Sequence, residues 1–333
     1  MLFWSRYREL RKAGVLGMNE RNAQYIMARN PRRLYPYVDD KILCKQTLIE
    51  HHIPVPKLLA RIATQHDAAA LDHILAGRDE FAIKPANGSG GNGILVAVAK
   101  RNQQWISPSG RLMTLEHIQH YVSNILGGMY SLGGQPDEAM VEALIHLHPC
   151  FDRFALQGVP DVRVIVYRGY PVMAMTRLPT RQSDGKANLH QGAVGAGINL
   201  CNGTTRCAVL HNQSVVEHPD TGASVDEFSL PFWDDILLMA ARASDAIGLG
   251  YMGADIVIDR DHGPLVLELN ARPGLSIQIA NQAGLRQRLL AIDQLAENPA
   301  SAELRCRRSQ CLSEHQWQTM GVTAAMEIAP VSV

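Results

Sequence analysis

Gly253-Ala-Asp-Ile-Val-Ile-Asp259 is followed nine residues later by Glu268-Leu-Asn-Ala-Arg-Pro-Gly274. The two stretches carry Asp255, Glu268 and Asn270 on short apolar runs, an all-oxygen donor set of the kind that holds Mg²⁺ against nucleotide phosphates. If Ile256–Ile258 and Leu265–Leu269 pair as strands, side chains alternate between faces, so Glu268 and Asn270 point the same way and can reach one ion. The plainer alternative is a hairpin whose polar residues face water. Arg272-Pro273-Gly274 weighs against it by adding a cation and a rigid turn directly after the carboxamide.

A second element lies upstream at Phe81-Ala-Ile-Lys-Pro-Ala-Asn-Gly-Ser-Gly-Gly-Asn-Gly93. Gly88, Gly90 and Gly93 have the spacing of a dinucleotide-binding loop, which needs a strand before it and a helix after it. The next residues are instead Ile94-Leu-Val-Ala-Val-Ala99, rich in β-formers. The loop, with Ser89 and Gly91 inside it, is therefore expected to join two strands and to cover phosphates as a flexible hairpin. Lys84, just before it, offers a point charge for a phosphoryl oxygen. Glycines alone also serve tight turns that bind nothing; lysine, glycine hairpin and a later Asp/Glu/Asn cluster together are more specific.

With these motifs in order, the chain resembles ATP-grasp enzymes, and within that superfamily the RimK-type α-L-glutamate ligases, over roughly residues 39–290. Asp40-Lys41, ahead of an amphipathic helix and Ile53-Pro-Val-Pro56, resembles the first nucleotide-contacting lysine. Lys84 with Gly88–Gly93 resembles the second lysine and the lid loop. Glu142 stands where the family has a strand-end glutamate near adenine or ribose, and Asp161-Val-Arg163 resembles its Asp-x-Arg. Lys186-Ala-Asn-Leu-His190 is similar to Arg-x-Asn-Leu-His, so Asn188 and His190 carry over and Lys186 replaces an arginine. Asp255, Glu268 and Asn270 occupy the metal positions.

The resemblance implies an α/β (α+β) ATP-grasp fold in which two α+β subdomains sandwich ATP. It further implies ATP and Mg²⁺, with Mn²⁺ as a substitute, and a cytoplasmic ATP-dependent carbon–nitrogen ligase. Lys41 and Lys84 would serve the α- and β-phosphates, and Mg²⁺ on Asp255, Glu268 and Asn270 the β- and γ-phosphates. Arg163, Lys186 and Asn188 would act on the transferring phosphoryl group and the acyl phosphate it makes. Substrates would be an amino acid such as glutamate and an amine-bearing peptide, protein or small molecule. A phosphotransferase or a silent nucleotide-binding scaffold on the same fold are the alternatives.

Two departures bear on the substrate. Only 38 residues precede Asp39, and a domain needs roughly 50 residues for its own core. Residues 1–38 therefore read as a helical extension in place of a full pre-grasp domain, which leaves room for a homo-oligomer mate or partner protein to complete the pocket. Gln191 stands where RimK-type enzymes have arginine, and Arg272 where many members have a small residue. The substrate would then be read by Arg177, Arg181, His190 and Arg272, with arginine forks suited to a carboxylate.

Composition excludes little. With 32 basic and 32 acidic residues the chain has no net charge to attract nucleic acid. There is no transmembrane-length apolar run and no secretory signal in the first twelve residues. Six irregularly spaced cysteines read as reduced thiols, and His146-Leu-His148-Pro-Cys150 as a surface loop. Periodicity predicts helices over 19–29, 41–52 (capped by Asp39 or Asp40), 115–125 and 234–247. Strands are predicted over 81–84, 94–99, 139–143, 161–167 and 171–177. The lid subdomain spans about 78–146, the metal and substrate subdomain about 147–290, and a C-terminal helix and tail 291–333.

Overall fold

The computed structural model describes residues 8–88, 91–154, 157–295, 300–312 and 316–317. Helix α1 (Lys41–Glu50) begins where the Asp40 carboxylate accepts hydrogen bonds from the Ile42 and Leu43 amides at 2.8 and 3.0 Å. This is the N-cap arrangement that satisfies donors without a helical partner, so Asp40 rather than Asp39 supplies the cap. Beyond Pro54 and Pro56 the chain enters β1 (Leu58–Ile62), then β2 (Phe81–Pro85), β3 (Leu95–Ala97), β4 (Ala99–Arg101), β5 (Gln104–Ile106), β6 (Leu112–Met113) and β7 (Ala139–Glu142).

These strands form a four-stranded sheet in the order β1-β7-β2-β3 and a three-stranded sheet β4-β5-β6. The run 94–99, predicted as one strand, divides at the half-exposed Val98 between the two sheets. Helix α2 (Leu115–Leu126) buries Ile118, Val122 and Ile125 completely. Their spacing of four and three residues makes one apolar stripe, which packs with Phe81, Ile83 and Val141 in a core of its own. Each such side chain contributes about 1.5–3 kcal/mol on burial.

The rest of the chain builds a seven-stranded antiparallel sheet from β8 (Asp161–Tyr167), β9 (Tyr170–Leu178), β10 (Val194–Ile198), β11 (Thr205–Leu210), β12 (Gln213–Val215), β13 (Tyr251–Asp259) and β14 (Gly263–Asn270), in the order β12-β11-β10-β9-β8-β13-β14. Helix α3 (Trp233–Ile247) packs across β8, β9, β13 and β14 and stops at Gly248, whose φ of +79° suits a left-handed C-terminal glycine. Buried from end to end, β13 reads in sequence as a nearly unbroken apolar run.

Both termini of the described chain join this second core. Leu16, Tyr25, Ile26 and Val38 belong to it, as do Cys306 and Trp317. Helix α4 (Leu285–Asp293) is followed by α5 (Ala302–Cys311), a helix that the polar composition of the tail conceals. Its anchor is Arg305, buried, which donates to the Gly169 carbonyl at 3.1 Å and pairs with Asp245. Among the described residues no helix is long and apolar enough to cross a membrane.

The cap makes a quantitative expectation. Asp40→Ala should lower unfolding free energy by about 1 kcal/mol, and Asp39→Ala by no more than about 0.5 kcal/mol, in denaturant titrations. Equal losses would mean that the cap does not fix the start of α1.

Candidate functional site

One face of the large sheet carries the charges. Arg163 on β8 lies opposite Asp255 on β13, and Asp255 opposite Glu268 on β14, so three charged residues make one row across three strands. A bulge follows at once, because Ile256 pairs with Val266 and Leu267 is left over. Two residues along β8, and therefore on the same face, Asp161 lies opposite Arg177 of β9.

These side chains close a hydrogen-bonded network. Arg163 forks onto Asp255, Nε to Oδ1 at 2.7 Å and Nη2 to Oδ2 at 2.6 Å. Arg177 donates from Nε to Asp161 Oδ1 at 2.6 Å, from Nη2 to the other Asp161 oxygen, and from Nη2 to Asp255 Oδ2 at 2.7 Å. Asn270 Nδ2 donates to Glu268 Oε1 at 3.2 Å and Asp255 Oδ2 at 3.3 Å. Opposite Asn270 the strand has Gly253, where a Cβ would stand 2.8 Å from the Pro273 Cβ; the missing side chain lets the Arg272-Pro273 turn fold close.

Burial pushes a carboxyl pKa up, and here it acts unequally. At Asp255 two guanidinium groups outweigh it and hold the group at about 2. Asp161 is raised to about 6, because burial and the Asp255 charge together exceed what the Arg177 fork returns. The sequence alone assigns Arg177 to a substrate carboxylate. The structure corrects this: Arg177 is 8% exposed, and its fork is already filled by Asp161 and Asp255.

A second network sits beneath the lid. Lys41 and Lys45 are four residues apart on α1 and so share a face. Lys45 Nζ lies 2.6 Å from Glu142 Oε1 and also donates to the Pro56 carbonyl, while Lys84 Nζ lies 2.7 Å from Glu142 Oε2. Glu142 is therefore a buried carboxylate that holds two ammonium groups. Burial alone would raise it, but Lys84 and Lys45 carry it below the usual carboxylate range. Burial lowers the Lys45 pKa in turn, and Glu142 opposes the change. Lys41, Lys45, Met140, Leu267 and Glu268 line one narrow cleft, which connects the lysines to the charged row.

The lid hairpin completes the site. Lys41 Nζ donates to the Gly88 carbonyl, and Lys186 Nζ to Asn92 Oδ1 at 3.2 Å. Lys186 lines a cavity of about 460 Å³ with Gly91, Asn92, Gly93 and Tyr130. Gly93 has φ +77°, and a Cβ there would come within 2.5 Å of the Tyr130 ring, so only glycine fits. Ser89 and Gly90 lie outside the described residues. Asn188 caps a short turn by accepting from the His190 amide at 3.0 Å, with the His190 side chain exposed. Arg181 is exposed, and the Arg272 guanidinium lies 4.9 Å over the Tyr35 ring.

The structure thus gathers Asp255, Glu268, Asn270, Arg163 and Arg177 into one network, Lys84 and Glu142 into another, and Lys186 against the lid. Among the described residues no three His, Cys, Asp or Glu side chains converge as a metal cage; the candidate set is two carboxylates and an amide. Lys45 and the counter-ion role of Asp161 are not apparent from the sequence. Lys45 had a usable signal in its four-residue spacing from Lys41.

A family model described as sugar-transfer associated ATP-grasp matches residues 20–294. Over 266 residues the chain is 26% identical to a protein of Mannheimia succiniciproducens named probable alpha-L-glutamate ligase, covering 80% of this chain and 66% of that one. A Haemophilus ducreyi protein of the same name is 27% identical over 253 residues, with 76% and 61% covered. The chain therefore spans less than two thirds of the length of these curated relatives. Among solved structures, D-cycloserine synthetase DcsG aligns at 17% identity, 84% and 73% coverage and a TM-score of 0.47.

The arginine network predicts its own cost of disruption. Arg177→Ala leaves the buried Asp161 without its cation and takes one of two from Asp255, which keeps the Arg163 fork, and should destabilise the protein by about 3–5 kcal/mol. Arg181→Ala, on the exposed loop, should stay within about 0.5 kcal/mol. Denaturant unfolding of the two variants checks this, and similar values would show that Arg177 is not an internal partner of the carboxylates.

Proposed function

Since the chain belongs to the sugar-transfer associated ATP-grasp family, we propose that it is an ATP-dependent carboxylate–amine ligase that makes an amide or peptide bond through an acyl phosphate. The observation that carries the reading is that Glu268, hydrogen-bonded to Asn270, lines the same narrow cleft as Lys41 and Lys45, and that Lys41 reaches the glycine hairpin at the Gly88 carbonyl. The names of the curated relatives support glutamate or a similar amino acid as one substrate. Because the family is described as sugar-transfer associated, amino sugars join peptides, proteins and small amines among the acceptors to be tried.

In this mechanism the substrate carboxylate attacks the γ-phosphorus of ATP, the bond to ADP breaks, and an acyl phosphate forms. The amine then attacks the acyl carbon, phosphate leaves, and the amine gives up a proton. Both steps need charge neutralisation and positioning rather than a covalent enzyme intermediate. Lys41 and Lys84 face the α- and β-phosphates, Lys84 being steadied by Glu142. Arg163, fixed by its fork on Asp255, and Lys186 under the lid meet the γ-phosphoryl group and then the acyl phosphate. Asn188 shapes the turn beside them. The hairpin 88–93 keeps water from the acyl phosphate.

The donor set fits a hard cation. Glu268 and Asn270 are only half-buried, and half a turn of the Asn270 amide brings its oxygen to the point where its nitrogen now meets both carboxylates. These two residues, with Asp255 behind them, would hold Mg²⁺ or Mn²⁺. When bound, the ion supplies charge neutralisation and alignment of the β- and γ-phosphates.

An ADP-release screen over amino acids and amine acceptors, with mass spectrometry of the products, tests the reading. ADP should form only with an acid, and an amide only when an amine is added; a stable phosphorylated product without amine would identify a phosphotransferase instead. Glu268→Gln and Asn270→Ala should abolish turnover with the circular dichroism unchanged. Arg272→Ala should raise the KM for the acid by about 30-fold or more and leave that for ATP nearly unchanged, the cost of losing a fork on a desolvated carboxylate. Loss of ATP affinity with the acid KM retained would move Arg272 to the phosphate end.

A further inference from the structure

The loop directly after Asn270 is held almost entirely from the N-terminal segment. Asn30, 3% exposed, donates from Nδ2 to the Ala271 carbonyl at 3.2 Å and to the Tyr251 carbonyl at 2.7 Å, and its Oδ1 accepts from the Tyr251 amide at 2.9 Å. One side chain thereby fills the open backbone groups where β13 begins and β14 has just ended. Arg21 Nη1 donates to the Pro273 carbonyl at 2.9 Å. Tyr35 lies under the Arg272 guanidinium. Further along, Gln278 bonds the Leu16 amide and carbonyl at 2.8 and 3.1 Å.

The segment is shaped for this. Its helical run, Met18–Arg29, widens into a π-turn over Arg21–Ile26, a form often found at functional sites. The turn sends Arg21 to Pro273 while Tyr25 and Ile26 enter the core. Side-chain bonds to carbonyls so close together in the chain are directional, so they fix where the loop stands as well as satisfying its backbone groups.

We propose that residues 16–35 act as a positioning clamp, in which Asn30 and Arg21 fix the backbone at Ala271 and Pro273 and so hold Asn270 where its amide, turned to present its oxygen, reaches the metal. The inference rests on the reading of Glu268 and Asn270 as Mg²⁺ ligands. Outer partners that orient a ligand usually change metal affinity by about 10- to 100-fold when removed. The clamp acts through Asn270, so its effect belongs to metal-dependent binding and not to the lysine end of the cleft.

The test is calorimetric titration of the full chain with a non-hydrolysable ATP analogue across a Mg²⁺ series, for the unsubstituted protein, Arg21→Ala, Arg21→Lys, Asn30→Ala and Asn30→Asp. Arg21→Ala should weaken apparent Mg²⁺ affinity by about tenfold, with metal-free nucleotide affinity unchanged, and Arg21→Lys should recover part of it. Asn30→Asp keeps the acceptor but puts a carboxylate against two carbonyls, and should lose as much as Asn30→Ala. If Asn30→Ala fails to fold, Arg21→Ala decides alone. Lower melting temperatures with unchanged Mg²⁺ affinity would overturn the clamp and leave a structural brace. No Mg²⁺ dependence in the unsubstituted protein would overturn the metal reading itself, and the clamp with it.

Discussion

Opposed charges on neighbouring strands decide where this molecule can do chemistry. A lone carboxylate as deeply buried as Asp255 would be forced to take up a proton, and it stays ionised because Arg163 and Arg177 converge on it. The arrangement is possible only in one register. A slip of one residue between β8 and β13 would send Arg163 and Asp255 to opposite faces, leaving each charge without the other. The register that buries the sheet is therefore the register that assembles the site. Replacing such a network by apolar residues can be neutral or stabilising for a fold, so stability alone gives no reason for it, whereas the proposed metal site beside Glu268 would.

The lysine end solves a different problem. A cleft for phosphates needs positive charge before the ligand arrives, yet two buried ammonium groups repel each other. Glu142 holds both Lys45 and Lys84 through one carboxylate, leaving a net positive charge at that point. Lys45 is buried and also bonded to the Pro56 carbonyl, so it is fixed in place, whereas the Lys84 side chain is more exposed. The shared counter-ion sets the position of the more exposed lysine, much as Asp255 sets that of Arg163.

Much of this was legible in the sequence, and the exceptions have a common cause. The helices at 41–50, 115–126 and 233–247 and the paired strands carrying Asp255 and Glu268 follow from period and caps, both local signals. The row Arg163–Asp255–Glu268 was half visible, because each strand shows its own alternation but not its partner. What could not be read was which cation meets which anion. Arg177 looks free in the sequence and is committed in the fold, since Asp161 stands opposite it only once β8 and β9 are paired. Helix 302–311 was hidden for a related reason: its burial depends on Arg305 reaching Asp245 and Gly169, far away in the chain.

The two halves of the site also differ in how firmly they are held, and the difference suits the proposed ligase reaction. The charged row is fixed by arginine forks between paired strands, several bonds to each group. The base of the hairpin is tied by Asn87 to the Asp137 carboxylate and by the Gly88–Ser131 bridge, but among the described residues it reaches α1 and the loop after β9 through Lys41 to the Gly88 carbonyl and Lys186 to Asn92, single bonds from long side chains that cost rotamer freedom to hold. Contacts of that kind open at low free energy, while strand-borne networks open only with global unfolding. A cover that must admit ATP and then exclude water needs the first property, and residues that must meet a developing charge without rearranging need the second. Lys186 stands at the boundary: it bonds to the hairpin at Asn92 and lies on the loop leading back to β10, so in the proposed reaction closing the hairpin would also bring a cation over the phosphoryl group.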